Sequence, residues 1–429
     1  MKKISLIVLS YLFAQTIFSQ QLQIPEDSIP VWFNEVKKAT HENLGLWNKD
    51  IYGPTLLINP ATREIYANEP DNAGLLSQKG TFFTGILPKE INFANTAMEW
   101  NGKRWAMIML PLPEDKNLRL NLLTHELFHW AQPSLGFVIN NRDNSHLDQK
   151  EGRIYLRLEL KALYRATIAK TPLGVKEHII NALILRKYRQ SLYSGSDTTE
   201  NLMELNEGLA EYTGQVMSGR NREQTIANFQ QSLVRFMSNP TFVRSFAYQT
   251  IPLYGFLLDD IQKGWNKEIT SKTDLTGYFI KAFGVEIPAG LKEQVAVAGE
   301  KYGYKAILKE ETEREEQTRK LILEYKTKFI DQPHLEIQFE QMQISFDPRN
   351  IMPLEDKGTV YPNLRITDKW GILTVKNGAL VSQGWDKVTL SKPISIGNQK
   401  VTGDGWELEM ADGYKISDIK QGSFKLIKK

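Results

Sequence analysis

Cysteine is absent from all 429 residues, so neither disulfides nor thiolates can contribute to stability, metal ligation or nucleophilic catalysis. No thiol is available for lipid attachment at a mature amino terminus either. Excess charge is also missing. The 53 Lys+Arg and 50 Asp+Glu leave a net charge of +3, too little to argue for nucleic acid as a partner. Long apolar runs are confined to the start of the chain, where Lys2 and Lys3 precede the stretch Ile4 to Phe18, with Ser19-Gln20 behind it. That stretch is shorter than the ~20 residues a membrane-spanning helix prefers, and it has the pattern of a signal peptide cleaved near residues 19 to 21. The expectation is a protein exported to the periplasm or secreted, with residues 1–20 removed and no transmembrane segment in the mature chain. Whatever chemistry the chain performs must use histidine, carboxylate, hydroxyl and metal, and there are only six histidines.

Two of those six stand in His125-Glu126-Leu127-Phe128-His129. On a helix, residues four apart lie one turn above each other on the same face, so both imidazoles can bind one ion. Glu126 cannot comfortably join the same coordination sphere and is placed instead to take a proton from an attacking water. The flanks predict the helix: Pro111, Pro113 and Asp115 are start signals, and Leu118, Leu122, Leu123, Leu127 and Trp130 give it an apolar face. A catalytic zinc site needs a third protein ligand and keeps its fourth position open. Carboxylates that could supply the ligand are Glu159, Glu204, Glu207 and Glu211, the last three within a helical stretch from about Leu202 to Val216.

HELFH followed by Leu205-Asn206-Glu207-Gly208-Leu209-Ala210-Glu211-Tyr212 resembles the gluzincin metallopeptidases, the group of thermolysin and the aminopeptidase-N-like enzymes. The resemblance covers mainly residues 104 to 260. It implies one Zn2+ held by His125, His129 and Glu207, with Glu126 as general base and Glu211 as a partner for a ligating histidine. Glu207 lies 78 positions beyond His129, a longer interval than the familiar members use, so an insertion must fill it, containing the helices that begin near Glu151 and Val175. The resemblance also implies a second donor to the oxyanion besides zinc, a tyrosine or a histidine. Tyr248 is the first choice, in Ala247-Tyr248-Gln249-Thr250-Ile251-Pro252-Leu253-Tyr254-Gly255, with Tyr254 second and His146 as a further candidate. Ala97-Met98-Glu99 is similar to the strand by which aminopeptidases grip a free amino terminus, although Glu99 also fits the outer face of a hairpin arm. His41, His178 and His334 have no partner at ligand spacing and read as structural.

Periodicity divides the chain in three. Asp27 to Trp47 reads as a helix, followed by strand-like runs at Thr55 to Ile58, Glu64 to Ala67 and Thr81 to Leu87. Asn101-Gly102 between Asn95 to Trp100 and Arg104 to Leu110 is a hairpin signal, because both turn residues tolerate positive φ. By the resemblance, the second arm could border the substrate cleft; an ordinary core strand is the competing reading. From Glu151 to Ile330 the pattern is helical, with breaks near Pro172, Pro240, Pro252 and Pro288 and a charge-dense stretch, Lys309 to Glu316, that reads as a solvated helix. Beyond Pro333, short alternating runs such as Leu364 to Thr367, Ile372 to Val375 and Trp406 to Met410 describe a small all-β unit.

The expected fold class is therefore α+β: a gluzincin-type metallopeptidase domain at 21–332 (sheet part about 50–112, helical part about 116–332) and an all-β accessory domain at 333–429. The expected function is hydrolysis of peptide bonds in a peptide or protein substrate. Two alternatives remain open, a zinc-stabilised protein that binds peptide or glycan through the β-domain, and a zinc hydrolase of non-peptide amides or esters.

Overall fold

The computed structural model describes residues 25–138, 143–346, 351–420 and 422–429. The expected signal peptide lies outside the described residues, and among those described no helix is long and apolar enough to cross a membrane. The architecture is mixed α and β: a small amino-terminal sheet, a helical bundle and a carboxy-terminal all-β part.

Helices α1 (Ser28–Glu42) and α2 (Leu44–Trp47) precede six strands: β1 (Thr55–Ile58), β2 (Glu64–Ala67), β3 (Ser77–Lys79), β4 (Phe82–Ile86), β5 (Thr96–Trp100) and β6 (Lys103–Met109). They pair in the order β3-β4-β2-β1-β6-β5, all antiparallel except β1 with β6. The β5–β6 turn is the one the sequence announced, with Asn101 at φ 47° and Gly102 at φ 71°. Side chains alternate across the sheet with the strand period of two. Leu57, Ala106 and Ile108 face the helical core, while Leu56, Ile58, Trp105 and Met107 fill a second apolar layer on the other face. Burial on both faces explains why β1 and β6 read as continuous apolar runs. β6 lies inside the sheet, paired with β5 over 103–107 and with β1 over 106–109, and the sheet's outer edge on this side belongs to β5. Trp105, Ala106, Met107 and Ile108 are fully buried, as the core-strand reading expects.

The bundle comprises α3 (Lys116–Ala131), α4 (Lys150–Thr167), α5 (Pro172–Leu192), α6 (Ser196–Met203), a π-helical turn Glu204–Gly208, α7 (Leu209–Met217), α8 (Arg222–Met237), α9 (Ala247–Asp259), α10 (Leu275–Ala282), α11 (Leu291–Lys301) and α12 (Tyr304–Lys326). Asp115 caps α3, its side chain accepting from the Leu118 amide at 2.8 Å. Leu118 itself is 41% exposed rather than part of the buried face. Pro252 lies inside α9 and does not break it. The charge-dense stretch is not simply solvated. Glu311 is 2% exposed, and its carboxylate takes Arg153 Nε at 2.7 Å and Arg157 Nη1 at 2.6 Å, so α12 docks on α4 through buried ion pairs.

Beyond α12, short strands between His334 and Lys428 form a seven-stranded and a six-stranded sheet around their own apolar cluster, which includes Trp370, Leu373, Trp406 and Leu408. This part contacts the amino-terminal sheet at the loop leading into β5. Arg365 bonds to the Asn92 side chain and donates to Lys89 O at 2.7 Å, Asn92 Nδ2 donates to Gln343 O at 2.9 Å, and Ser345 Oγ donates to Phe93 O at 3.2 Å. Arg365→Ala should therefore loosen the 88–95 loop while leaving the bundle intact. Limited trypsin digestion should cut after Lys89 faster in the variant, with an unchanged thermal midpoint for the helical part; an unchanged cutting rate would show that the loop does not depend on this contact.

Candidate metal centre

Three elements meet at one point: α3, the turn Glu204–Gly208 with α7 behind it, and α9. Two glycines let the backbones approach. A Cβ on Gly214 would lie 2.6 Å from Asn121 Nδ2 and 2.7 Å from Asn121 O, so α7 and α3 touch only because that position is bare. A Cβ on Gly208 would lie 2.4 Å from Ile251 Cγ1, which closes α9 onto the turn in the same way. The stretch expected as one helix from Leu202 to Val216 is thus interrupted at Glu204 by the wider turn, a feature that recurs at functional sites.

On α3, His125 and His129 present their rings on one face, with His125 4% exposed. Their Nε2 atoms are 3.1 Å apart. Glu207 Oε2 lies 3.2 Å from His129 Nε2 and 3.6 Å from His125 Nε2. These three residues form a group whose ligand atoms all lie within 4.8 Å of one another. The opposite ring nitrogens are occupied. His125 Nδ1 faces Glu211 Oε2 at 3.1 Å, and His129 Nδ1 faces Gln132 Oε1 at 2.9 Å. Glu211 is held in turn by Asn121 Nδ2 and Gln215 Nε2, both at 3.0 Å. The Gln132 amide is oriented by Nε2 donating to Asn206 O at 3.1 Å. The acceptors at both Nδ1 atoms orient each ring so that Nε2 points toward the other ring and toward a carboxylate, and with a cation bound each ring would keep its proton on Nδ1 and offer the Nε2 lone pair. Two nitrogens and one oxygen converging in this way suit a tetrahedral divalent cation such as zinc, so the donor set fits the expected ion.

The rival carboxylates are committed elsewhere. Glu159 receives Arg186 Nε at 2.7 Å and Arg189 Nη1 at 2.6 Å, and Glu204 receives Arg186 Nη1 at 2.9 Å and Nη2 at 2.5 Å. Glu211 serves His125 from behind. Glu126 is 5% exposed, and its Oε2 is buried without a hydrogen-bond partner. Burial raises its carboxyl above the ordinary range, against the opposing pull of His125 and His129.

Tyr248 is brought to the cluster. Its hydroxyl donates to Glu207 Oε2 at 2.6 Å, and its ring stacks on His125 with centroids 5.2 Å apart. Burial, and next the charge of Glu207, hold the phenol well above its usual range, so it keeps its proton. Tyr254 is not at the cluster; it is fully buried, donating to Glu159 Oε1 at 3.0 Å. His146 is likewise engaged, with Nε2 2.8 Å from Glu200 Oε1. Glu99 stands on the exposed face of β5, 3.7 Å from Arg104, and its side chain is 68% exposed. Gln132 was missed by the sequence reading, although its place three residues after His129 puts it on the same helical face. Arg104 was missed as well: it donates to His129 O at 3.2 Å and Trp130 O at 3.3 Å, tying β6 to the end of α3.

No family model matches the chain, and comparison with curated proteins and with solved structures gave no match.

The charges set the pH response of the metal-free cluster. Burial pushes the His125 imidazole down, but hydrogen bonds to Glu207 and Glu211 outweigh it and lift the ring to about 10; His129 is raised against burial mainly by the charge of Glu207. Raised histidine pKa values mean that, without a cation, the cluster holds protons at neutral pH, and an incoming cation must displace them. Zinc binding at pH 7 should release at least one proton per ion, with apparent affinity rising about tenfold per pH unit for each proton released until the rings deprotonate. Calorimetric titration in buffers of different ionisation enthalpy measures this. Affinity that stays flat between pH 6 and 9, with no proton release, would contradict it.

Proposed function

We propose that this chain is an exported zinc-dependent peptidase with a gluzincin-type catalytic domain and an accessory β-domain. The observation that carries the reading is the convergence of His125 Nε2, His129 Nε2 and Glu207 Oε2 beside the buried, unpartnered oxygen of Glu126. His125, His129 and Glu207 would hold the ion. Zinc in such a site supplies Lewis-acid polarisation of a carbonyl and makes a water molecule a stronger acid.

The chain's own residues supply the proton traffic. Glu126 takes a proton from the attacking water onto its carboxylate as the water oxygen bonds to the carbonyl carbon, and later passes that proton to the departing nitrogen, so that the peptide C–N bond breaks to give a new carboxyl group and a free amine. Burial raises the Glu126 carboxyl above its ordinary range, which favours its taking up a proton. Tyr248 keeps its proton and touches the cluster, which makes its hydroxyl the donor for the carbonyl oxygen as negative charge builds there. Glu211 and Gln132 orient the two imidazoles.

A zinc-pinned binding protein would bury the same three ligating residues just as well, but it has no use for an unpaired carboxylate oxygen between its histidines. A buried carboxylate without a partner is costly in any protein, and proton transfer gives that cost a purpose. Glu126→Gln should bind zinc as the parent does and lose about 10²- to 10⁴-fold in turnover of a mixed peptide library, since the amide keeps the shape but cannot accept the proton. Retention of parental turnover with full zinc occupancy would rule out Glu126 as the base.

A further inference from the structure

Beneath the metal cluster lies a group of charges that the proposed chemistry does not use. Glu159, Arg186, Arg189 and Glu200 are fully buried and Glu204 is 1% exposed. Arg186 bridges Glu159 and Glu204, and Arg189 bridges Glu159 and Glu200, to which Arg189 donates at 2.9 and 2.8 Å. Buried ion pairs of this kind contribute little net stability compared with apolar packing of the same volume, because desolvation offsets most of their attraction. Stability alone is therefore a weak account of five buried charges on three helices and a turn.

Glu204 shows what they hold. It opens the π-helical turn that carries Glu207 three residues later. One of its oxygens, Oε1, accepts from Arg186 Nη2 and also from Thr250 Oγ1 at 2.6 Å. Thr250 belongs to α9, two residues after Tyr248. The turn and α9 are thus joined at three successive points: Glu204 to Thr250, Glu207 to Tyr248 at 2.6 Å, and Gly208 against Ile251. A π turn is rare and occurs mostly as a single turn set into an α-helix. Relaxing it by one residue would rotate the following side chains by about 100° and carry Glu207 away from both histidines.

We infer that Glu204, gripped by Arg186 and tied to α9 through Thr250, is a positioning residue that locks the π turn and so sets Glu207 against His125, His129 and Tyr248. The inference rests on the metal centre proposed above for its role in zinc binding, but the locking of the turn is a property of the metal-free chain. It assigns the buried charge group to the site rather than to the bundle at large.

Thr250→Val replaces the hydroxyl with a methyl group of similar size and leaves Glu204 Oε1 its contact with Arg186, so it disturbs the fold less than deleting a buried charge. The full-length variant should unfold near the parental temperature yet bind zinc about 10- to 100-fold more weakly in chelator competition, the loss expected when a group that orients a ligand is removed. Its cobalt-substituted form should show an altered visible spectrum, and Thr250→Ser should restore both properties. In the metal-free protein, the amides of 204–208 should exchange hydrogen faster in the valine variant than in the parent. If valine cannot be accommodated, Thr250→Ala removes the same hydroxyl without added bulk and enters the same comparison. Parental zinc affinity and cobalt spectrum in the hydroxyl-free variant would overturn the inference, as would a serine variant as weak as the valine one. Should the parent bind no zinc, the metal-centre reading fails separately. The lock is then decided by exchange alone: faster exchange at 204–208 supports it, and unchanged exchange overturns it.

Discussion

Two imidazole nitrogens and a carboxylate oxygen share one small space where α3 crosses the turn Glu204–Gly208, and most of the surrounding structure serves to hold them there. Left alone, their lone pairs repel, so the cluster must take up positive charge, as protons or as a cation. The bare positions at Gly208 and Gly214 permit the crossing. Glu211 and Gln132 fix the ring orientations from behind, Arg104 ties the end of α3 to the sheet, and Arg186 anchors the turn from below. Each contact is modest, but together they leave the three ligand atoms little freedom to separate. That preorganisation is what the proposed metal centre would require of its ligands.

The parts of this arrangement that were legible in the sequence are those governed by local helical spacing. His125 and His129 lie four apart on α3 and present one face of it; Glu207 and Glu211 also lie four apart, across the join between the π-helical turn and α7. The choice between Tyr248 and Tyr254 was not legible. Both lie on α9, and six residues of helix leave them about 120° apart around its axis, so one meets the cluster and the other the buried charges. Only the packing of α9 on the turn decides which, and the sequence carries no direct record of that packing. The ligand choice among Glu159, Glu204, Glu207 and Glu211 was open for the same reason, since the arginines that occupy Glu159 and Glu204 sit on a separate helix.

The fold divides similarly. The β5–β6 hairpin and the change to short strands after Pro333 were readable because turn chemistry and alternation are local signals. Strands as short as Met352–Pro353, Thr359–Tyr361 and Ala379–Val381 carry too few residues for alternation to register. The stretch 309–316 reads as a solvated helix from its charges alone. Glu311 turns inward because Arg153 and Arg157, far earlier in the chain, meet it there. Long-range charge pairing of this kind leaves composition and periodicity unchanged.

Diffraction at the zinc absorption edge, on crystals of the full chain loaded with one equivalent of zinc, tests the central claim most directly. The account predicts a single anomalous peak bounded by His125 Nε2, His129 Nε2 and a carboxylate oxygen of Glu207, each at about 2.0 to 2.2 Å, with Glu126 outside the coordination sphere. A peak elsewhere, a site that recruits Glu126 or Glu211 in place of Glu207, or no peak at full loading would contradict it.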